Sequence, residues 1–271
     1  MDGLYLYCIR KRIDGKRAFS TKGIDEKNEV FIFLHRELEA VVSKVSIEEF
    51  TSEKIRKSAQ EDLNWIKEKA VIHERVIEDA MKMDGRFLNL IPMRFGIIFK
   101  DETGLKASLD KNYSKIINVL EKIRGKQEWG LKVYLENREK FRDKIKSKNT
   151  LIKIKEAQIS SLPEGAAYFM EEELKDVVSK EMNKELSNIA ESIFEDLKEY
   201  AVGGVKCKIL QREITGIKED MVLNAAYLVC KEKVEDFKKE IEDLNQKMQA
   251  KGFCLEYSGP WPAYNFASLA M

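Results

Sequence analysis

The chain has 271 residues, 44% hydrophobic and 35% charged, and its 48 basic and 47 acidic side chains leave a net charge of +1. That length suits one large or two small domains with proper apolar cores. The balance of charge argues against a dedicated nucleic-acid binder, which shows a strongly basic face, and against simple adhesion to anionic lipid. The apolar run Leu4–Ile9 is too short for a signal-peptide core or a membrane span, and no stretch of about 18 apolar residues occurs, so a soluble cytoplasmic protein is expected. Cys8, Cys207, Cys230 and Cys254 lie far apart without a CxxC pair. They read as small buried hydrophobes, not as a disulfide framework or a zinc site.

The opening alternates, with Leu4, Leu6 and Cys8 on one face and Tyr5, Tyr7 and Ile9 on the other. Both faces are apolar, which predicts a strand covered on both sides. Asp14-Gly15 is a turn dipeptide. Glu29 to Ser46 is rich in β-branched and aromatic residues and reads as two strands with a turn near His35–Leu38; a helix over Arg36 to Val45 is the competing reading. From about Ser52 the period changes. Leu63, Ile66, Ala70, His73, Ile77 and Ala80 recur at steps of three and four and mark one stripe of a long helix.

Asp84-Gly85 breaks that helix, and "IPMRFGIIF" (Ile91–Phe99) reads as a strand with Met93, Phe95, Ile97 and Phe99 on one face and Arg94, Gly96 and Ile98 on the other. Pro92 belongs at its start or on a sheet edge, because it cannot donate to a ladder. A helix carrying Ile116, Ile117, Leu120 and Ile123 follows, and Trp129, Leu131, Val133 and Leu135 alternate in a strand that closes the unit. This order predicts an α+β sandwich over residues 1–136, with ferredoxin-like topology the simplest match.

The highly charged stretch 137–164 reads as helical, and its excess of Lys and Arg suits a solvated connector. Residues 165–256 then run helix, strand, strand, helix, strand: a second α+β domain, a ferredoxin-like variant with long helices. The tail, 257–271, contains Pro260 and Pro262 around Trp261, with Tyr264 and Phe266 close behind. Two prolines fix φ near −65°, so the tail is expected to leave the last strand stiff and extended.

No catalytic constellation stands out. GxxxxGK[ST], GxGxxG after a strand and GxSxG are absent from the sequence, and these supply the phosphate cradle and the nucleophile elbow. His35 and His73 are the only histidines and form no HExxH. His73 sits in an apolar stripe, the place of a hydrogen-bonded core or groove histidine. Arg94 projects from apolar neighbours and is expected to have a carboxylate or carbonyl partner. No cofactor is expected.

Several segments are distinctive together: "LYLYCI" (Leu4–Ile9), "LEAVVSKV" (Leu38–Val45), "DLNWIKEKAVIHERVIE" (Asp62–Glu78), "IPMRFGIIF", "EWGLKV" (Glu128–Val133), "LNAAYLV" (Leu223–Val229) and "YSGPWPAYNF" (Tyr257–Phe266). In this order they resemble the gas vesicle protein family GvpF/GvpL over nearly the whole chain. Cys8 departs from a frequent glycine and Ala263 from a frequent proline. The resemblance implies a non-enzymatic accessory protein of gas vesicles with two α+β domains, each ferredoxin-like or a variant of it. It also implies binding to the hydrophobic shell protein GvpA and to other accessory proteins, with no nucleic acid and no membrane as partner. The contact surface expected on this basis comprises Leu38, Val41, Arg94 and Phe95, with Trp261, Tyr264 and Phe266 of the tail. The tail has a second reading, in which it folds back to plug a groove on its own chain. Two other classes compete: a nucleotide-dependent assembly factor, against which the missing phosphate motifs count, and a generic ferredoxin-like binding module.

Overall fold

The structure, a computed structural model, describes residues 2–13, 19–50, 63–83, 86–210, 216 and 218–269. The chain divides into two compact units. The first comprises Met1–Glu128 with Pro260–Met271, and the second is Trp129–Gly259.

In the first unit the elements run β1 (Asp2–Lys11), β2 (Val30–His35), β3 (Leu38–Ser46), α1 (Leu63–Met81), β4 (Lys82–Met83), β5 (Arg86–Phe87), β6 (Leu90–Pro92), β7 (Ile98–Phe99) and α2 (Glu102–Ile123). The main sheet has the order β2-β3-β1-β6, with β7 also pairing with β1. All of its pairings are antiparallel. β1 is therefore central, and its residues Gly3 to Arg10 are buried on both faces, as the double alternation requires. Tyr5 pairs with Ser43 and Ile9 with Ala40, with a bulge between Leu6 and Cys8. The strand–turn–strand reading of 29–46 holds, and the helical alternative does not. Arg36 turns the hairpin at φ +53°, and its guanidinium binds Asp110 Oδ1 at 2.6 Å.

α1 follows the expected stripe, with His73, Val76, Ile77 and Ala80 buried. α2 is capped by Asp101, whose Oδ1 accepts the Gly104 N–H at 2.8 Å, and buries Leu105, Leu109, Ile116, Leu120 and Ile123. Ile91–Phe99 departs from the single strand expected there. β6 stops at Pro92, the chain turns at Phe95–Gly96, and β7 resumes at Ile98. Gly96 has φ +86°, a conformation that side-chain-bearing residues rarely adopt, and it breaks the alternation.

The second unit contains β8 (Lys126–Leu135) from Trp129 on, α3 (Arg138–Lys148), α4 (Thr150–Ile159), α5 (Glu164–Lys198), β9 (Gly203–Lys206), β10 (Asp220–Cys230), a 3₁₀ turn (Lys231–Lys233), α6 (Val234–Gln249) and β11 (Phe253–Trp261) as far as Gly259. Its sheet has the order β11-β8-β10-β9. Two expectations are corrected here. β8 does not close the first sheet; it lies inside the second, between β11 and β10, and the boundary falls at 128/129 instead of 136. The stretch 137–164 is no free connector. Asn137 caps α3 by accepting from Lys140 N, and Asn149 caps α4 by accepting from Leu151 N and Ile152 N. Phe141, Ile145, Ile152 and Ile159 are buried in the second core with Leu174, Val178 and Met182 of α5. These apolar residues keep helical spacing, and the charges between them occupy the outer faces.

The two sheets share one strand order. If the main strands of each are numbered along the chain, the second lies at one edge, followed by the third, the first and the fourth. Cys8 is buried, while Cys207, Cys230 and Cys254 are partly exposed; none of the four is in a disulfide.

Candidate interaction surface

The first unit presents two features of interest, an edge strand and a docked C-terminal strap, with a polar network beneath them. β2 is the last strand of its sheet, and among the described residues nothing pairs with it on the side away from β3. Its Phe31, Ile32 and Phe33 are half-buried, and Leu34 is 53% exposed. The hairpin is pinned to α2, because His35 Nε2 lies 2.9 Å from Asp110 Oδ1 and the Arg36 guanidinium stacks 4.7 Å over the Tyr113 ring. An edge of this kind offers unpaired backbone donors and acceptors beside apolar side chains.

Beneath the sheet, Tyr5, Tyr7, His73 and Phe95 form a ring cluster with centroids 4.8–6.2 Å apart. His73 Nε2 lies 3.1 Å from the Met93 carbonyl, which can only accept, so Nε2–H is the donor. Nδ1 is then free to accept from the Tyr5 hydroxyl at 3.0 Å, and Tyr5 in turn accepts the Gly96 N–H at 2.9 Å. Every group in this chain has a partner while the imidazole is neutral. Burial pushes the His73 pKa down to about 4, against a weaker opposing pull from Met93, and pushes the Tyr5 phenol upward. Alongside, Tyr7 OH bonds Ser43 Oγ at 2.8 Å and accepts the Ile24 N–H at 2.7 Å. Arg10, also buried, donates through Nε to Glu39 Oε2 at 2.8 Å and through Nη1 to the Ala80 carbonyl.

The strap, residues 260–269, lies on this same unit. Pro262, Ala263, Ala267 and Leu269 are buried. Tyr264 OH donates to Glu74 Oε1 at 2.7 Å. Asn265 gives both its backbone N–H and its side-chain Nδ2–H to the two oxygens of Glu128, at 3.0 and 2.6 Å. Burial raises the Glu128 pKa to about 7, although the Asn265 bonds pull it down. Glu74 is raised by burial as well, again against the pull of its tyrosine.

The residues singled out from the sequence separate in the structure. Leu38 and Val41 are fully buried on β3, a strand enclosed by β2 and β1, and offer a partner nothing. Alternation identifies a strand but does not say whether it lies at an edge. Arg94 is exposed just before the Phe95–Gly96 turn and does not project from a strand. Phe95 and Tyr264 are brought together against the Tyr5 cluster. Trp261 keeps 44% exposure, while its small neighbours Pro262 and Ala263 are buried; Phe266 is half-buried. Sequence reasoning missed Leu34, Glu74, Glu128 and Asn265. The signal for Glu128 was present, a carboxylate directly beside Trp129 within the strand Lys126–Leu135.

Among the described residues no group of three His, Cys, Asp or Glu side chains is placed to hold a metal ion, and no described helix is long and apolar enough to cross a membrane.

The similarities run over the whole chain. A family model described as gas vesicle synthesis protein GvpL/GvpF matches residues 3–268. Gas vesicle protein L of Streptomyces sp. (strain CB03234) is 24% identical over 275 residues, covering 98% of this chain and 93% of that protein. Gas vesicle protein F of Nostoc sp. is 26% identical over 203 residues, covering 74% and 77%. The crystal structure of GvpF from Anabaena sp. PCC7120 superposes with a TM-score of 0.72 at 19% identity, covering 100% of this chain and 98% of that one. GvpF from Microcystis aeruginosa gives 0.70 at 19% identity, covering 98% and 99%. At that identity the two structures speak for the fold.

Proposed function

The chain belongs to the GvpL/GvpF family of gas vesicle synthesis proteins, and from that premise we propose that it acts as a non-enzymatic assembly protein that binds the hydrophobic shell protein GvpA. Other gas vesicle accessory proteins are its further partners during nucleation and growth. Both units are read as ferredoxin-like. The second has the β-α-β-β-α-β order, and the first is a variant in which no helix is described between β1 and β2.

The observation that carries the binding reading is the β2 edge. A shell subunit apolar enough to face gas aggregates when left free, and an open edge bearing Phe31, Ile32, Phe33 and Leu34 holds such a chain by strand addition. Backbone pairing supplies the affinity, and burial of the exposed apolar side chains supplies the rest. Strand addition needs no nucleotide.

The test is retention of tagged GvpA by the full-length chain, with and without ATP. Leu34→Lys places a charge on the edge, the device by which sheet edges avoid pairing. Because Leu34 is half-exposed, the fold should tolerate the change. At least tenfold weaker retention is expected from Leu34→Lys, little change from Leu34→Ala, and none from ATP. Unchanged retention by Leu34→Lys, or retention that requires ATP, would overturn the reading.

A further inference from the structure

The α3–α4 arm of the second unit is strongly basic. Between Arg138 and Glu156 eight basic residues stand against three acidic ones, in a chain whose net charge is only +1. Part of that excess is gathered along one groove. A cavity of about 720 Å³ lies between α3, α4 and α5, and α3 contributes Arg138, Arg142 and Lys146 to its lining. These three follow one another at steps of four. On a helix rising 1.5 Å per residue they form a row of cations spaced roughly 6 Å apart. Leu174, Val178 and Met182 of α5, also at steps of four, line the same groove with Ile159 of α4. All four of these apolar residues belong to the second core.

Lys175 of α5 adds a fourth cation, and Glu156 and Glu171 are the carboxylates of the lining, which leaves an excess of two positive charges. Each cation is tied only loosely. Arg138 pairs with Asp220 at 3.0 Å, Arg142 with Asp143 at 3.8 Å, Lys146 with Glu156 at 2.9 Å and Lys175 with Glu172 at 2.7 Å. Both members of every pair are partly exposed, and pairs in contact with water contribute little, so an incoming carboxylate can replace them. The walls themselves are firm. Asn137 and Asn149 cap α3 and α4, and Phe141, Ile145 and Ile152 anchor both helices in the core. An occupant therefore meets a preformed site and orders little on binding.

We propose that this groove docks an acidic amphipathic helix of a partner protein. Asp or Glu side chains at steps of four along such a helix match the row Arg138, Arg142 and Lys146 in spacing and in sign. Its apolar side rests over Leu174, Val178 and Met182, where the methylene stems of the Arg and Lys side chains add apolar surface. A single small anion would use one or two cations of the row. A nucleic-acid backbone or an anionic membrane would use the charge but gain nothing from the apolar floor. The groove lies wholly within the second unit. The inference stands apart from shell-protein binding at the β2 edge, and its test contains no shell protein.

The probe is a labelled, helix-forming synthetic peptide of about 15 residues, with Glu at every fourth position beside a stripe of Leu. It is titrated into full-length protein and read by fluorescence anisotropy. Saturable binding is expected. A scrambled peptide of the same composition, a counterpart with Lys for Glu and one with Ser for Leu should each bind at least tenfold more weakly. Arg142→Glu/Lys175→Glu reverses two exposed side chains and should weaken binding of the Glu peptide at least tenfold. The milder Arg142→Gln/Lys175→Gln should weaken it at least threefold, and both variants should keep the wild-type circular dichroism. The scrambled-peptide arm uses wild-type protein alone, so it decides the matter even where a variant unfolds. A single-stranded oligonucleotide and vesicles of phosphatidylglycerol with phosphatidylcholine complete the set, each expected to bind at least tenfold more weakly than the Glu peptide. No saturable binding of that peptide, or equal binding of its scrambled form, would overturn the proposal. So would equal binding by folded Arg142/Lys175 variants, or tighter binding of the oligonucleotide or the vesicles.

Discussion

The two units share a strand order and differ in what they bury. Arg10, His35, Glu39, Ser43, Lys69, His73 and Glu128, the buried polar and charged side chains among the described residues, all belong to the first unit. The second is filled with aliphatic and aromatic side chains from Trp129 to Leu255. Apolar burial is non-directional and tolerates repacking if volume is kept. A buried polar group demands its partner at hydrogen-bond distance and leaves a large penalty when the partner goes. The same strand order is thus held in one case by volume and in the other by specific pairs. The first unit should respond to single-atom changes and to pH, and the second should respond mainly to cavities.

The largest test of this contrast is the Arg10–Glu39 pair, in which both side chains are almost wholly buried. Glu39→Ala leaves a guanidinium buried beside the Ala80 carbonyl without its counter-charge, and should cost about 3–5 kcal/mol in denaturant unfolding. Replacing both partners by apolar residues, Arg10→Met with Glu39→Leu, should recover most of that loss. A Glu39→Ala cost below about 1 kcal/mol would mean that the pair behaves like a surface ion pair, and the contrast between the interiors would fail.

The next test is pH. His73 has its pKa lowered to about 4 from an ordinary 6.5. As the pH falls the unfolded chain takes up this proton first, so the stabilisation is full above about 6.5 and is lost on the way down to about 4. Glu128 runs the other way. Its pKa is raised to about 7 from an ordinary 4.5, so its contribution is full below about 4.5 and is lost as the pH rises through 7. Each shift corresponds to about 3 kcal/mol, and the two slopes oppose each other between pH 4.5 and 6.5. Unfolding midpoints of His73→Gln should therefore rise on acidification across that window, and those of Glu128→Gln should fall. Parallel slopes in the two variants would show that these groups do not titrate as their burial requires.

The same distinction explains what was legible in the sequence. β1, the β2–β3 hairpin and the helices α1, α2, α5 and α6 follow local periodicity and turn chemistry, and each was readable. The sheet to which β8 belongs was not, because alternation identifies a strand but pairing is decided by strands that begin at Asp220 and Phe253, far along the chain. The segment 137–164 was legible as helix, but its charge hid its packing into the second core. Eight basic and three acidic residues between Arg138 and Glu156 concealed that Phe141, Ile145 and Ile152 form a sparse stripe for burial. At the candidate surface, apolar character pointed to Leu38 and Val41, which are buried, and side-chain size pointed to Trp261, which is half-exposed. The groups that hold the strap, Glu74 and Glu128, lie far along the chain from the residues they bind. No local pattern links them to Tyr264 and Asn265.

The smallest effects offer the finest comparison, because one atom can be removed from each interior. Tyr7 OH has two partners, Ser43 Oγ and the Ile24 N–H. Tyr7→Phe leaves that buried N–H without an acceptor and should cost roughly 1–3 kcal/mol. Tyr227, fully buried in the second unit, donates to the Phe194 carbonyl at 3.3 Å. That carbonyl lies within α5, where the helix ladder supplies an N–H four residues on, so Tyr227→Phe orphans nothing. Its packing against Phe194 and Phe237, with centroids 5.5 and 5.4 Å away, is untouched, because the ring remains. The cost should stay below about 1 kcal/mol, and denaturant midpoints of the two variants measured under one set of conditions decide the matter. A Tyr227→Phe loss equal to that of Tyr7→Phe would show that the second interior also depends on directional bonds, whereas a clear gap ties the sensitivity of the first unit to the donors its buried hydroxyls satisfy.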